Sequence, residues 1–398
     1  MKDRKVFILV SKDALCRDYL HQYGKLPGQF ATPNIDELVA KGTLFTNYYC
    51  AAGSTVMAFY SMATGQFAHE TDFQMYERIN YQYKGETLFT KAKQRGYSQC
   101  HIVWDIDWGF LPEYFDYFRD DVTLHNIDGF RERVSFHKKV QGAVSNDDRV
   151  AYETLEMIKQ KLISILDTED SVFIWLHLPH VVRGRAGYGS DIDMFDEYIG
   201  MIRSLVPDEC IAITADHGNL NGHKGKIAYG FDVYDSVANI PLITPRKHGI
   251  EVCTDNVSAV DLYSLIFEED IPKRKFVYCD SAYRAQKSRK LAIIYKNFKY
   301  IYRKKDGSEE LYDTAYDPNE RFSIMEDKWF DVDRKIYVES KEEYYYPHWD
   351  DLPTIRKILR EERDRIWRNG SLPVIIKSNI KDKLRPIKEW YIRFAGKI

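Results

Sequence analysis

The sequence predicts an α/β fold with a mostly parallel central sheet between helices, followed by a small antiparallel subdomain. From residue 5 to about residue 270, short apolar runs alternate with amphipathic segments, which is the pattern of βα units. After about residue 272, closely spaced strand-like runs joined by tight turns replace that pattern. We therefore expect an α/β domain over 1–271, an antiparallel subdomain over 272–350, and a helix with a basic, aromatic tail over 351–398.

Each element of the α/β part follows from its own pattern. The apolar runs predict strands at 5–10, 97–103, 171–177, 209–215 and 240–243. The amphipathic segments between them predict helices at 33–41, 86–95, 147–166, 190–204 and 257–267. The first helix has defined limits, because Thr32 stands at its N-cap position, Pro33 at its first position and Gly42 at its end.

The C-terminal part is predicted from three apolar runs and one charged segment. The runs FVYC, KLAIIYK and FKYIYR predict strands at 276–279, 290–296 and 298–303. The segment 353–368 has the charge pattern of a surface helix.

Composition narrows the kinds of molecule that the protein can bind and the cellular compartments in which it can work. Lys and Arg total 57 against 60 Asp and Glu, so no global basic field favours nucleic acid as a partner. The six cysteines show no CxxC pair or short metal spacing, which favours reduced thiols in a cytosolic protein. No apolar run is long enough for a signal peptide or a membrane span. We therefore expect a soluble, cytoplasmic protein.

Polar residues follow three of the predicted strands at the point where each strand ends. Asp13 follows VFILV, His180 follows SVFIWLHLP, and the pair Asp216 and His217 follows CIAITA. Each alone is more often a turn or capping residue. The carboxyl ends of parallel strands meet at one edge of a sheet, however, and ligands bind there. Two carboxylates and an imidazole suit a divalent cation such as zinc or manganese.

The segment GSTVMAFYSMATG (53–65) offers a hydroxyl nucleophile for such a site. It has a small, flexible approach, two hydroxyls, and then a helix-like stretch. A hydroxyl at a helix N-terminus lies near free backbone N–H groups, which suits an attacking oxygen and the anion that it attacks. The residues alone leave two interpretations open, since Ser54 or Thr55 could instead be a plain N-cap.

Four stretches of the sequence carry a resemblance to a known family. TPNIDELVAKGTLFTNYYCAAGSTVMAFYSMATGQ (32–66) resembles the sulfatase signature, and VSKDALCRDYLHQYG (10–24) resembles the first metal-binding segment of that family. TADHGNLNGHKGKIAYGFDVYDSVANIPLI (214–243) resembles the second, and ELYDTAYDPNER (310–321) resembles a C-terminal element. The chain thus resembles the alkaline phosphatase and sulfatase superfamily, in the family's order, up to about residue 321.

The resemblance implies a role for individual residues. The implied metal ligands are Asp13, Thr55, Asp216 and His217, with Thr55 also acting as the nucleophile. His180 would touch the anionic group of the substrate or protonate the leaving oxygen. Basic residues that would contact the substrate are His223, Lys224 and Lys226. The implied cofactor is one divalent metal ion, with zinc or manganese favoured and calcium as the alternative.

The nucleophile motif departs from that of true sulfatases. Those enzymes need a Cys or Ser for conversion to formylglycine, inside a Cys/Ser-x-Pro-x-Arg context, whereas residues 55–59 here read TVMAF. A metal-bound Thr is instead the arrangement of the superfamily's phosphoethanolamine and phosphoglycerol transferases and of its phosphodiesterases. The resemblance therefore implies a phosphoryl-ester transferase or phosphodiesterase that forms phospho-Thr55, with a small-molecule, sugar or glycan phosphoester as substrate.

Two other functions compete with this prediction. The first is a sulfatase or phosphonate-ester hydrolase that works without formylglycine. The second is a catalytically inactive protein that keeps the fold as a binding module, which the missing basic residues favour and the intact ligand set opposes.

The tail over 377–398 leaves two interpretations open, and one of them predicts peripheral binding to anionic membranes. It holds seven Lys or Arg residues against two acids, with interleaved apolar residues Ile387, Trp390, Tyr391, Ile392 and Phe394. Each basic residue near an anionic surface contributes about 1 kcal/mol, and interfacial aromatics add a shallow anchor. The competing interpretation is a C-terminal element packed on the body, because Pro386 interrupts any long amphipathic helix. Co-sedimentation with anionic liposomes should be strong for the full chain and lost for a chain ending at Ser378. Equal binding by both chains, or by neither, would contradict the prediction.

Overall fold

The computed structural model describes most of the chain. The described residues are 4–24, 30–67, 69–70, 83, 85–104, 115–117, 148–178, 188–226, 229–281, 289–338 and 346–369. The predicted tail over 377–398 and the predicted site residue His180 therefore lie outside the described residues. No helix within the described ranges is both long and apolar enough to cross a lipid bilayer.

The α/β part is built on a central sheet. Its described strands are β1 (Lys5–Lys12), β2 (Gly42–Phe45), β3 (Tyr48–Tyr49), β4 (Gln99–Trp104), β5 (Phe115–Tyr117), β6 (Ser171–Leu178), β7 (Ile211–Ala215), β8 (Leu242–Pro245), β9 (Val252–Cys253) and β10 (Val257–Ser258). Eight of them form the central sheet in the order β5-β4-β6-β1-β7-β8-β2-β9, and β3 pairs with β10. Neighbours in the central sheet are parallel except for the two pairs made by β8. The predicted mostly parallel sheet is confirmed.

β1 lies in the middle of the sheet because its residues suit burial on both faces. Residues 6–10 are apolar and buried, as in other parallel strands that are covered on two sides. β1 pairs in parallel with β6 and with β7. Its last residue, Lys12, lies opposite Leu178 of β6 and opposite Ala215 of β7. The three strands therefore end at the same edge, where the residues that follow them meet.

The sheet differs from the prediction at β8 and β2. The strand predicted at 240–243 is present as β8, but it runs antiparallel to β7 and to β2. The sequence prediction omits β2, because this strand has four residues and begins directly at the glycine that ends the preceding helix. Gly42 is needed at this junction, since a Cβ atom there would lie 2.4 Å from the Thr244 carbonyl oxygen.

Eight α-helices are described, seven in the α/β part and α8 in the C-terminal part. They are α1 (Pro33–Lys41), α2 (Thr55–Thr64), α3 (Leu88–Gln94), α4 (Asp148–Thr168), α5 (Tyr188–Arg203), α6 (Asp235–Ala238), α7 (Leu262–Phe267) and α8 (Leu352–Asn369). The predicted helices agree with α1, α3, α4, α5 and α8 to within a few residues. The helix predicted at 257–267 is shorter than expected, because its first two residues form β10 and only its last six form α7.

The start of α1 is capped by a carboxylate from another helix. Asn34 and Ile35 donate their backbone N–H groups to Asp196 Oδ1 on α5, at 3.1 and 2.9 Å. Thr32 occupies the N-cap position, but its Oγ1 makes no capping bond and accepts from Gln22 Nε2 at 2.8 Å instead. The long-range carboxylate thus replaces the local cap that the sequence predicts.

The C-terminal part contains the predicted antiparallel sheet and a second, smaller one. The first consists of β11 (Val277–Asp280), β12 (Lys290–Tyr295), β13 (Phe298–Arg303) and β14 (Glu309–Asp313). The second consists of β15 (Phe322–Glu326), β16 (Lys328–Asp331) and β17 (Ile336–Val338), and the sequence analysis did not predict it.

The first antiparallel sheet is shared between two hydrophobic clusters. Alternate residues such as Val277 and Cys279 pack into the core of the α/β part. Their neighbours, such as Tyr278 and Leu291, pack with Leu359 of α8 in a second cluster. One face of this sheet therefore closes the α/β core, which brings C-terminal residues close to the functional edge described next.

Candidate metal centre and nucleophile

Three predicted ligands meet at the edge where β1 and β7 end. Asp13 directly follows β1, and its backbone N–H donates to the Leu178 carbonyl oxygen of β6 at 3.0 Å. Asp216 and His217 directly follow β7. Donor atoms of the two carboxylates and the imidazole all lie within 4.8 Å of one another, and the three residues are buried.

The imidazole of His217 stands between the two carboxylates. Its Nε2 lies 3.3 Å from Asp216 Oδ2 and 3.9 Å from Asp13 Oδ1. Its Nδ1 lies 2.9 Å from the Gly218 carbonyl oxygen, which can only accept a hydrogen bond. Nδ1 therefore carries the proton in the neutral ring, so the lone pair on Nε2 points toward the carboxylates.

Backbone hydrogen bonds fix only one of the two carboxylate oxygens of Asp216. Its Oδ1 accepts the N–H groups of His217 at 2.8 Å and of Ala14 at 3.1 Å. Ala14 adopts a φ of 55°, in the left-handed region that non-glycine residues rarely occupy. This turn directs the Ala14 N–H at Asp216 and leaves Oδ2 facing His217.

The unused oxygens of this cluster fit a divalent cation. Asp13 Oδ1 and Asp216 Oδ2 are buried and have no hydrogen-bond partner among the described residues. A buried carboxylate oxygen without a partner is costly, and a bound cation is one of the few groups that satisfies it. Two carboxylate oxygens and one imidazole lone pair form a donor set of the type that such ions prefer. Among the residues that the structure describes, this cluster is the one group of three such ligands.

Thr55 is the hydroxyl that the structure places at this cluster. It is the first residue of α2, and its Oγ1 lies 3.1 Å from His217 Nε2. Ser54 occupies the N-cap position without making a side-chain cap bond, and its Oγ is buried with no partner among the described residues. Of the two hydroxyls that the sequence left open, Thr55 is therefore the one in contact with the candidate ligands.

The segment before Thr55 is held by backbone bonds from two other parts of the chain. Cys50 donates its N–H to the Ala238 carbonyl oxygen at 2.8 Å, and Gly53 donates to the Asp280 carbonyl oxygen at 2.9 Å. Gly53 suits this position, since a Cβ atom there would lie 3.0 Å from Val237 Cγ1. The position of Thr55 therefore depends on the α6 region and on β11 as well as on its own helix.

The three basic residues predicted to contact substrate are engaged with other protein groups. His223 Nδ1 lies 2.9 Å from Ser236 Oγ, and its Nε2 lies 2.9 Å from the Asn319 carbonyl oxygen. Lys224 donates to the Glu320 carbonyl oxygen. Lys226 Nζ lies 2.6 Å from Asp232 Oδ2. Their contact with substrate stays a prediction. To bind a substrate, these side chains would have to give up the hydrogen bonds that they make to protein groups.

Tyr229 is a residue of this site that the sequence analysis missed. Its ring lies against the His217 ring, with centroids 4.3 Å apart. The pKa of Tyr229 is raised well above its usual value. The largest cause is the negative charge of Asp13, followed by burial of the side chain and by the charge of Asp216. The protein has 29 tyrosines, so nothing in the local spacing distinguished this one.

A cavity of about 360 Å³ is lined by the segments that follow Asp13 and His217, by the start of α6, and by Pro318 and Asn319. Its polar lining includes Asp18, Tyr19, Asn219, Asn221, His223 and Ser236. These side chains can donate and accept hydrogen bonds, so the cavity suits a hydroxyl-rich group better than a purely apolar one.

Comparisons with known proteins agree with this architecture. Residues 5–181 match the Sulfatase family. A stretch of 173 residues, which is 36% of this chain, is 25% identical to the uncharacterized sulfatase YidJ of Escherichia coli strain K12. That stretch covers 35% of YidJ, so the similarity spans about a third of that relative's length.

Two solved structures resemble this chain over nearly its whole length. The phosphonate monoester hydrolase of Agrobacterium radiobacter matches 92% of this chain and 96% of its own, with a TM-score of 0.62 and 16% identity. BT4656, solved in complex with its substrate D-glucosamine-2-N,6-O-disulfate, matches 93% of this chain and 100% of its own, with a TM-score of 0.62 and 15% identity. At these identities the likeness shows a shared fold.

Proposed function

We propose that this chain is a metal-dependent phosphodiesterase or phosphoryl-ester transferase. The premise is that it carries a Sulfatase-family domain within the fold of the alkaline phosphatase and sulfatase superfamily. The observation that supports the proposal most directly is the contact between Thr55 Oγ1 and His217 Nε2 at 3.1 Å, beside two buried carboxylates. It supplies a hydroxyl nucleophile next to a candidate cation site.

The identity of the nucleophile favours a phosphoryl over a sulfuryl ester. Residues 55–59 contain neither the Cys or Ser that formylglycine formation requires nor the accompanying Pro and Arg. Threonine keeps an ordinary hydroxyl, which needs activation before it attacks. A divalent cation held by Asp13, Asp216 and His217 would lower the pKa of that hydroxyl and neutralise negative charge on the transferring group.

The proposed reaction passes through a covalent intermediate on Thr55. Its Oγ forms a bond to phosphorus, its proton is released, and the bond between phosphorus and the leaving oxygen breaks as that oxygen takes up a proton. A water molecule or an acceptor hydroxyl then attacks phosphorus and loses its proton, and the bond between phosphorus and Thr55 Oγ breaks as that oxygen takes up a proton. The N–H groups in the first turn of α2 would lie beside a group transferred to Thr55, where they could stabilise its negative charge.

A sugar or glycan phosphoester is the substrate class that the neighbouring cavity favours. Asparagine, tyrosine and serine line it alongside His223, and His223 already bonds protein groups through both ring nitrogens. Such a lining recognises hydroxyl groups rather than a second strongly anionic group.

A sulfatase or phosphonate-ester hydrolase is the second candidate. It is favoured by the fold, because the solved relatives include a phosphonate monoester hydrolase and a protein whose substrate is a sulfated glucosamine. An inactive binding module is disfavoured by the buried ligand oxygens, which have no structural partner among the described residues.

Turnover of matched aryl esters tests the proposal. We expect the protein, loaded in turn with zinc, manganese and calcium, to cleave an aryl phosphodiester with a kcat/KM at least about 100-fold above that for an aryl sulfate, because the two esters differ mainly in the group attacked. An aryl phosphonate monoester belongs in the same series. Faster sulfate cleavage would overturn the phosphoryl preference. Absence of turnover with stoichiometric metal bound would instead favour the binding module.

A further inference from the structure

The four-residue helix α6 lies between the nucleophile segment and the His217 loop. On one side Gly218 donates its N–H to the Val237 carbonyl oxygen at 2.8 Å, and on the other Cys50 donates to the Ala238 carbonyl oxygen at 2.8 Å. The packing against the His217 loop is very close, since a Cβ atom on Gly218 would lie 2.1 Å from the Ser236 carbonyl oxygen. A displacement of α6 would therefore move both catalytic segments.

The first residue of α6 is gripped by two residues of the C-terminal part. Asp235 donates its backbone N–H to Glu320 Oε2 at 2.6 Å, and its Oδ1 lies 2.6 Å from Lys299 Nζ. Lys299 Nζ also lies 2.9 Å from Glu320 Oε1. Lys299 comes from β13 and Glu320 from the turn before β15, so the clamp formed by Asp235, Lys299 and Glu320 connects three segments that are distant in sequence.

The clamp has the properties of a rigid device. Lys299 and Glu320 are fully buried and Asp235 is 5% exposed, so breaking any of these contacts would leave a buried charge or a buried N–H group short of a partner. Glu320 also adopts a φ of 52°, in the left-handed region where a non-glycine residue is strained. The surrounding structure maintains this strained backbone. The resulting conformation directs the Glu320 carboxylate toward the start of α6.

We propose that Glu320 and Lys299 are positioning residues for the reaction, because they hold α6 and thereby set the distance between Thr55 and the His217 loop. This inference rests on the proposed metal site and hydroxyl nucleophile. It assigns a role to the Glu320 side chain in the segment ELYDTAYDPNER (310–321), whose Asn319 and Glu320 carbonyl oxygens also bond His223 and Lys224.

The matched pair Glu320→Gln and Glu362→Gln separates positioning from general stability. Glu362 is also a buried glutamate of the C-terminal part, but it bonds Tyr278 and Arg365 and does not touch α6. We expect both variants to lower the melting temperature. Only Glu320→Gln should weaken manganese affinity, by about tenfold or more, as is typical when groups that support metal ligands are lost. It should also lower kcat more than it raises KM.

Amide hydrogen exchange gives a second readout that needs neither metal nor substrate. In Glu320→Gln, exchange at the amides of Gly218 and Cys50 should become at least about tenfold faster, while Glu362→Gln leaves both unchanged. If the folded Glu320→Gln protein keeps wild-type manganese affinity and exchange at these two amides, the inference is overturned. If Glu320→Gln does not fold, Asp235→Asn replaces it in this test, because that variant retains the backbone bond to Glu320. It is expected to show the same weaker manganese affinity and the same faster exchange at the two amides.

The same measurements distinguish this inference from the proposed function. A wild-type protein that binds no metal would refute the metal-dependent reaction, whereas the exchange at Gly218 and Cys50 would still show whether the clamp positions the two segments.

Discussion

Replacing Thr55 with alanine is expected to reduce kcat by at least about 10⁴-fold, because the variant has no oxygen to form the covalent intermediate. Metal affinity should fall by no more than about tenfold, since the two carboxylates and His217 remain to hold the ion. Isothermal titration with manganese and steady-state kinetics on an aryl phosphodiester measure the two effects separately. Loss of metal together with activity would show that Thr55 is mainly a ligand.

The conservative variant and the trapped intermediate complete this test. Thr55→Ser should keep partial activity, because it retains the hydroxyl while losing the methyl group that restricts its rotamer. Mass spectrometry of wild-type protein quenched during turnover should find a phosphoryl adduct on the peptide that contains Thr55. An adduct on the neighbouring Ser54 would move the nucleophile by one residue and contradict the assignment.

Replacing Asp216 with asparagine is expected to abolish metal binding while leaving the fold intact. The asparagine carbonyl can still accept the N–H groups of His217 and Ala14, so the turn after β7 is preserved. Its NH₂ group would then occupy the position of Oδ2, where a donor repels a cation. We expect manganese affinity to fall by at least about 100-fold and activity to fall with it, since a ligand matters more than the groups that support it.

Asp331→Asn is the matched control for that variant. Asp331 is also buried, and its Oδ1 likewise accepts two backbone N–H groups, from Asp333 and Arg334, each at 3.0 Å. It lies on β16 and contacts none of the candidate ligands. If Asp331→Asn lowers manganese affinity as much as Asp216→Asn does, the loss reflects global destabilisation, and the assignment of Asp216 is wrong.

The parts of the fold that the sequence predicted are those with a strong local signal. β1 and β6 are long, apolar and buried on both faces, and α1 has a proline at its start and a glycine at its end. The parts that it missed depend on distant partners. β8 has the composition of a parallel strand, yet it runs antiparallel, because its direction is set by pairing with β7 and β2 and not by its own residues.

The same distinction applies to the candidate site. Asp13, Asp216 and His217 could be grouped from the sequence because each directly follows a strand whose end could be located. Tyr229 could not, since it reaches the site through a loop whose path depends on tertiary contacts. The Glu320 contact with Asp235 is also invisible locally, because it joins residues 85 positions apart.

The central position of β1 has a consequence for how the protein is made. This apolar strand is synthesised before both of its partners, which begin only at Ser171 and Ile211. Pairings across such distances form slowly, and an unpaired apolar strand is prone to aggregate in the meantime. A fragment that ends with the family match at residue 181 would contain β6 but lack β7. One edge of β1 would stay open, so such a fragment should aggregate where the longer chain folds.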